Sequence, residues 1–235
     1  MNKETFLKEL KLINIIPTEE QLEQLEKYYE LLVTENKKYN LTAITNKEDV
    51  YLKHFYDSLT ISKIIKLDNQ TLCDIGTGAG FPGMVLKIFY PSLEVTLVDA
   101  TLKKCHFLEL VIKELSLDKI KVLNKRAEEY SKETREHYDI VTSRAVAPLK
   151  HLLEYSIPLL KINGIYIAMK SDISKEIEGI ENYENKLKIS KEKTIKFELP
   201  IENSLRTLIS YKKIEKTPII YPRKYSEIKK ERTIN

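Results

Sequence analysis

Two carboxylates and a run of glycines pose the chain's first chemical question. Four of its six glycines, Gly76, Gly78, Gly80 and Gly83, fall in the stretch LCDIGTGAGFPG from Leu72 to Gly83. Asp74 stands two residues ahead of the first, and Asp99 closes the later run EVTLVD. Glycine in such a turn lets the backbone take positive φ and approach a ligand closely. An acid about twenty residues further on commonly accepts hydrogen bonds from ribose hydroxyls. The pair therefore predicts a nucleoside ligand.

Read literally, Gly78, Gly80 and Gly83 match the dinucleotide fingerprint G-x-G-x-x-G. Charge argues against that ligand. A pyrophosphate at this turn would face Asp74, and Pro82 removes one of the amides that would greet it. S-adenosylmethionine carries a sulfonium and an ammonium and no phosphate, so Asp74 beside Gly76, Gly78 and Gly80 suits the methyl donor better. Asp99 serves either nucleotide. Ala127 and Glu128, in NKRAEEY, stand where an adenine edge needs a backbone amide and a polar group. Arg144, in VTSRAVAPL, emerges where a donor carboxylate or a nucleic-acid phosphate would lie. The bland alternatives are a turn cap for Asp74, a helix cap for Asp99, an exposed first-turn acid for Glu128 and a surface ion pair for Arg144.

The methyl acceptor is read by elimination. The polar-Pro-Pro-aromatic run that grips exocyclic amines is missing from SRAVAPL. Carbon methylation of a pyrimidine needs a presented thiol, whereas Cys73 and Cys105 both sit in apolar runs and read as buried, reduced thiols. What remains is an acceptor that is already nucleophilic, such as a ring nitrogen, and no dedicated catalytic acid or base is expected. The cysteines and four scattered histidines show no metal-ligand spacing, so no metal site is expected.

The elements that must position these residues change character near residue 70. Before it the chain reads as helix. Thr18 and Gln21 form a capping-box pattern, followed by a stripe of Leu22, Leu25, Tyr29, Leu32 and Val33. A second helical segment, about 46–66, aligns Tyr51, Phe55, Leu59 and Ile65. From Thr71 onward TLCDI, EVTLVD, IKVLN, YDIVTS and GIYIAMK alternate with helical segments, the grammar of an α/β, mostly parallel sheet covered on both faces. TIKFEL and RTLISYKK then predict an antiparallel C-terminal strand pair. The divisions expected are 1–68 (helical extension), 69–214 (Rossmann-like donor-binding domain) and 215–235 (basic tail).

With 235 residues, 42% hydrophobic and 31% charged, the composition is that of an ordinary globular domain. No apolar run reaches the roughly 20 residues of a membrane span, and the charged start MNKETFLKEL lacks a signal-peptide core, which predicts a cytoplasmic protein. The net charge of +4 is unevenly placed. Residues 212–235 hold eight Lys/Arg against three Asp/Glu, so the remainder is slightly acidic. Such a tail predicts a polyanion partner, or else a solvated end.

Taken together, LCDIGTGAGFPG, TLVDA, RAEEY, SRAVA, KKYNLTAIT, KHFYDSL and TPIIYPRK resemble the bacterial 16S ribosomal RNA guanine-N7 methyltransferase family (RsmG, glucose-inhibited division protein B) over nearly the whole chain. The resemblance implies a Rossmann-like class I methyltransferase domain with an N-terminal helical extension. The implied reaction transfers methyl from S-adenosylmethionine to N7 of one guanine in the decoding-region loop of 16S ribosomal RNA. The partner would be that RNA or the small subunit, with no membrane and no obligate protein partner. By position, Gly76 and Phe81 border the donor, Ala127 and Glu128 contact its adenosine side, Asp99 is the ribose acid, and Arg144 closes the site. Lys170 and the segment Tyr221-Pro222-Arg223-Lys224 are expected at RNA phosphate, and His54 and Asp57 either at the base or in a helix-to-domain hydrogen bond. Two other classes remain: a nicotinamide-dependent oxidoreductase using the literal fingerprint, and a non-catalytic RNA-binding protein.

Overall fold

The computed structural model describes residues 1–144, 147–174, 176–177 and 179–230. Helix α1 (Lys3–Leu12), capped by Asn2, was not foreseen as a separate element. Helix α2 (Glu19–Tyr39) begins with the capping box of Thr18 and Gln21, each side chain bonding the other's backbone amide. Its buried stripe is Leu25, Tyr28 and Leu32. Tyr28, rather than the expected Tyr29, is the aromatic ring turned fully inward; Tyr29 is half-buried.

The second helical segment is not one α-helix. An α turn, α3 (Lys47–Val50), passes into a π-helical stretch Tyr51–Tyr56, then α4 (Asp57–Leu59), then a 3₁₀ turn Thr60–Lys63. The wider π turn changes the facing of side chains, so that Tyr51, Leu52, His54, Phe55 and Tyr56 are all buried.

The sheet comprises β1 (Thr71–Ile75), β2 (Glu94–Asp99), β3 (Ile120–Asn124), β4 (Tyr138–Arg144), β5 (Leu160–Lys170), β6 (Ile189–Glu198) and β7 (Leu205–Lys213), in the order β3-β2-β1-β4-β5-β7-β6. The first five pair in parallel; β7 runs antiparallel to both β5 and β6. β5 and β6 begin earlier than the sequence runs suggested, at Leu160 and Ile189. Central strands read as apolar runs because both faces are covered. Edge strand β6 is largely exposed and carries Lys191, Lys193 and Lys196, charges that discourage further strand pairing.

Two cores result, one on each face. Helices α5 (Gly83–Phe89) and α6 (Leu102–Glu114) cover one face, and the N-terminal helices pack over them in the same cluster. Helices α7 (Ala127–Glu133), α8 (Leu149–Ser156) and α9 (Ile180–Leu187) contribute to the other. The last helix, α10 (Tyr225–Lys230), is anchored by buried Ile228. Strand order reverses at β1, between β2 and β4, so the carboxyl ends of these strands form the switch-point crevice where such sheets take ligands.

Candidate functional site

The glycine turn leaves β1 at Ile75, and Gly76, Gly78 and Gly80 all have positive φ. The amides of Gly76 and Thr77 bond the Val98 carbonyl at 2.8 and 3.1 Å, tying the turn to β2. At Gly80 a Cβ would overlap the Tyr28 hydroxyl and lie 2.9 Å from Leu108 Cδ2 and Met84 Cβ, so packing requires glycine there. At Gly78 a Cβ would meet nothing within 4 Å. That side of the turn is open, as close approach of a ligand demands.

Asp74 does not present itself to a ligand as the sequence suggested. It is fully buried within β1, and its Oδ2 accepts from the Gly83 amide (2.8 Å) and Thr77 Oγ1 (2.7 Å). It locks the turn to the start of α5. Burial pushes its pKa up to about 6, against the pull of those two hydrogen bonds and of Arg144. Its Oδ1 has no partner among the described residues. Among the described residues, the carboxylates that line the crevice are Asp99 and Glu128.

A cavity of about 350 Å³ opens at the ends of β1, β2 and β3. Gly76, Asp99, Ala127 and Glu128 line it together, with apolar wall from Ile75, Val98 and Leu152. Asp99 is held by two backbone amides, Thr101 N on Oδ1 (2.8 Å) and Gly78 N on Oδ2 (2.9 Å), which joins Gly78 to the same site. Each oxygen keeps a lone pair for a ribose hydroxyl. Lys104, Lys125 and Arg126 also border the cavity; Lys125 pairs with Glu133, and Arg126 lies 3.9 Å from Glu128. Apolar walls with a few fixed acceptors fit a nucleoside.

Phe81 and Arg144 belong to a second cluster, formed with the N-terminal helices. The Phe81 ring is buried, stacked on His54 (centroids 4.3 Å, 18°) and on Tyr28 (5.5 Å, 26°), with the Arg144 guanidinium 5.2 Å from its centroid. Phe81 can therefore meet a donor through its backbone, while its ring fixes the turn to the helices. Tyr28 adds a hydroxyl hydrogen bond to the Ala79 carbonyl.

Arg144 donates to the Lys53 carbonyl (2.9 Å), Asp57 Oδ2 (3.3 Å) and His54 Nδ1 (3.3 Å). Because a guanidinium only donates, Nδ1 of His54 is the acceptor, and Nε2–H donates to Thr42 Oγ1 at 3.0 Å. His54 is thus neutral, its pKa pushed down to about 3 by burial and by Arg144. Asp57 Oδ1 holds Arg206 at 3.2 Å. His54 and Asp57 therefore make the helix-to-domain bond that was one of their two expected placements. The residues after Arg144 in SRAVA, Ala145 and Val146, lie outside the described residues.

The expected phosphate contacts are turned inward. Lys170 is buried, bonded to the Ala147 carbonyl (2.8 Å) and to Glu176 (2.9 Å). Arg223 pairs with Glu154, which is fully buried, and also reaches Tyr183 Oη at 3.1 Å. Arg135 holds the carbonyls of Thr217 and Tyr221, each at 2.7 Å. Lys224 is exposed. The segment 217–224 is thereby strapped to the domain, and residues 231–235 of the expected tail lie outside the described residues. Cys73 and Cys105 are buried and free. No group of three or more metal-binding side chains occurs among the described residues, nor any helix long and apolar enough to cross a membrane.

Comparison with known proteins places the family and the fold. The family model for GidB, rRNA small subunit methyltransferase G, matches residues 21–205. A "Ribosomal RNA small subunit methyltransferase G" of Mesoplasma florum is 48% identical over 227 residues, covering 93% of this chain and 92% of that protein. Its counterpart in Bacillus subtilis is 43% identical over 228 residues, 95% of each chain. Among solved structures, M. jannaschii TYW2 in complex with AdoMet superposes with a TM-score of 0.53 at 16% identity (64% of this chain, 72% of that one). Precorrin-6y C5,15-methyltransferase from Geobacter metallireducens gives 0.50 at 14% (67% and 87%). These structures share the fold.

Proposed function

The chain belongs to the rRNA small subunit methyltransferase G family and is an rRNA methyltransferase; we propose that it moves the methyl of S-adenosylmethionine to N7 of one guanine in the decoding-region loop of 16S ribosomal RNA. The observation that carries the donor assignment is the convergence of Gly76, Asp99, Ala127 and Glu128 on one cavity beside the open side of Gly78. Asp99, fixed by two amides, takes the ribose hydroxyls. Ala127 and Glu128, at the start of α7, take the adenine edge. Backbone of the turn at Gly76, Gly78 and Phe81 follows the remainder of the donor, and Arg144 closes the switch point from β4.

When bound, S-adenosylmethionine supplies an electrophilic methyl group activated by its sulfonium. Guanine N7 has an in-plane lone pair and no proton to lose, so the chain needs no general base. Its residues act by alignment, holding acceptor nitrogen, methyl and sulfur in line. Consistent with this, the imidazole near the turn is kept neutral by burial and by Arg144 and is engaged at both nitrogens. Mapping N7-methylguanine by chemical cleavage in ribosomal RNA, from cells with and without the gene, tests the assignment. Cleavage at one guanine that vanishes with the gene is expected; an unchanged pattern would overturn it.

A further inference from the structure

The strap formed by 217–224 delivers Tyr225 to the donor cavity. Tyr225 is 52% exposed, while Ile228, one turn further along the same helix, is buried. Tyr155, from α8, lines the same cavity. It is 6% exposed, and its hydroxyl, wholly removed from solvent, has no hydrogen-bond partner among the described residues. Leaving a buried hydroxyl unpaired is costly, and a partner supplied by a bound ligand removes that cost. His151 joins the two rings, with centroids 6.4 Å from each in edge-on contact. The anchors behind this wall are strong: Arg223 on fully buried Glu154, and Arg135 on two strap carbonyls.

We propose that Tyr155 and Tyr225 form an aromatic wall that receives the purine of the methyl donor, making the C-terminal segment part of the donor site rather than only an RNA tail. The inference rests on the donor reading above. Tyr225 offers a ring face, and Tyr155 offers a hydroxyl that pairs with a ring nitrogen or the exocyclic amine once the donor is bound. Neither residue takes part in the methyl-transfer step; both position the donor.

Calorimetric titration of the full chain with S-adenosylmethionine and with S-adenosylhomocysteine tests this directly. The chain has no tryptophan, so tyrosine emission gives a second readout, with quenching on binding expected in the wild type. Tyr225→Ala, at an exposed position, should weaken both ligands about 10-fold, and Tyr225→Phe should restore them, since base stacking needs only a ring. Tyr155→Phe should weaken binding about 5-fold while leaving the ligand-free melting temperature unchanged or raised, because it deletes an unpaired hydroxyl. A merely structural tyrosine would lower the melting temperature instead. Wild-type affinity in both Tyr225→Ala and Tyr155→Phe overturns the wall. Absence of binding in the wild type itself overturns the donor reading, a separate result.

Discussion

Gly78 and Gly80 differ by two positions and share positive φ, yet a Cβ would meet open space at the first and packed side chains at the second, and alanine substitution tests whether their duties differ accordingly. In Gly80→Ala the new Cβ overlaps the Tyr28 hydroxyl and crowds Leu108 and Met84. Tyr28 cannot retreat freely, because its ring is stacked on Phe55, Phe81 and Phe107 and its hydroxyl serves the Ala79 carbonyl. Overpacking costs about 1–3 kcal/mol, a strained backbone about 1–3 kcal/mol, and a stranded carbonyl about 1–3 kcal/mol. Since one displacement produces the packing and hydrogen-bond losses together, they count once, and with the backbone strain the total is about 2–6 kcal/mol. Gly78→Ala meets no neighbour within 4 Å and bears only the left-handed backbone cost, about 1 kcal/mol. With a urea dependence of about 3 kcal/mol per molar, Gly80→Ala should lower the unfolding midpoint by about 0.7–2 M and Gly78→Ala by less than about 0.5 M. Far-ultraviolet circular dichroism reads both. Calorimetry should then find Gly78→Ala folded but at least about 10-fold weaker for S-adenosylmethionine, a penalty that stability cannot explain. Equal destabilisation by the two variants, or wild-type donor affinity in Gly78→Ala, would refute this division of labour.

Other perturbations probe the cluster around Arg144 and the strap. Asp57→Ala removes the carboxylate shared by Arg144 and Arg206 and should cost about 3–5 kcal/mol in urea unfolding, the penalty for stranding buried charge. His54 titrates near 6.5 when unfolded and near 3 when folded, so its contribution is complete above pH 6.5 and falls by about 1.4 kcal/mol per unit as pH drops towards 3. Asp74, raised to about 6 from 3.8, has the opposite sign: stability rises as pH falls from about 6 to about 4. Thermal melts across pH 4–7 should therefore be nearly flat below pH 6 in the wild type, rise on acidification in His54→Gln, and fall steeply in Asp74→Asn. Arg223→Ala strands Glu154 and should lower the melting temperature by several degrees, while changing the salt dependence of RNA binding by less than one phosphate's worth.

The sheet was legible because a parallel strand buried on both faces writes a short, dense apolar run, and β1 to β4 fall on the runs read from sequence. The turn was legible through its glycines, and Asp99 through its distance from them. Side-chain direction was not. Asp74 and Asp99 look alike as acids near strand ends, but Asp74 lies within β1, where its side chain enters the layer between strand and α5, whereas Asp99 is the last residue of β2. Tyr28 and Tyr29 are adjacent on a helix, and the stripe admitted either; Phe55, Phe81 and Phe107, far apart in sequence, select Tyr28. Lys170 and Arg223 looked like free cations because their partners, Glu176 and Glu154, carry no local signal of pairing.

Arg144 shows why the N-terminal helices and the donor turn act as one unit. A guanidinium at the switch point would be expensive if left dry and unpaired. Its partners come from 53–57, about ninety residues earlier, at the π turn that brings His54 and Asp57 to one side. The same turn stacks His54 on Phe81, the residue that follows Gly80. Charge is then balanced inside the second cluster, with Arg144 and Arg206 against Asp57 and the nearby Asp74. Asp99 and Glu128 are left at the cavity, facing Lys104, Lys125 and Arg126 at its border. The geometry of the turn thus rests on Asp74, whereas Asp99 and Glu128 are the acceptors at a cavity whose border also carries three cations. Replacing Asp99 by Asn should accordingly weaken S-adenosylmethionine by losing ribose acceptors and by slackening Gly78, whose amide it holds. Replacing Asp74 by Asn should act first on the turn, through Gly83 and Thr77. If the two variants lose donor affinity equally at equal stability, the turn and the acceptor are not separable, and the distinction between them fails.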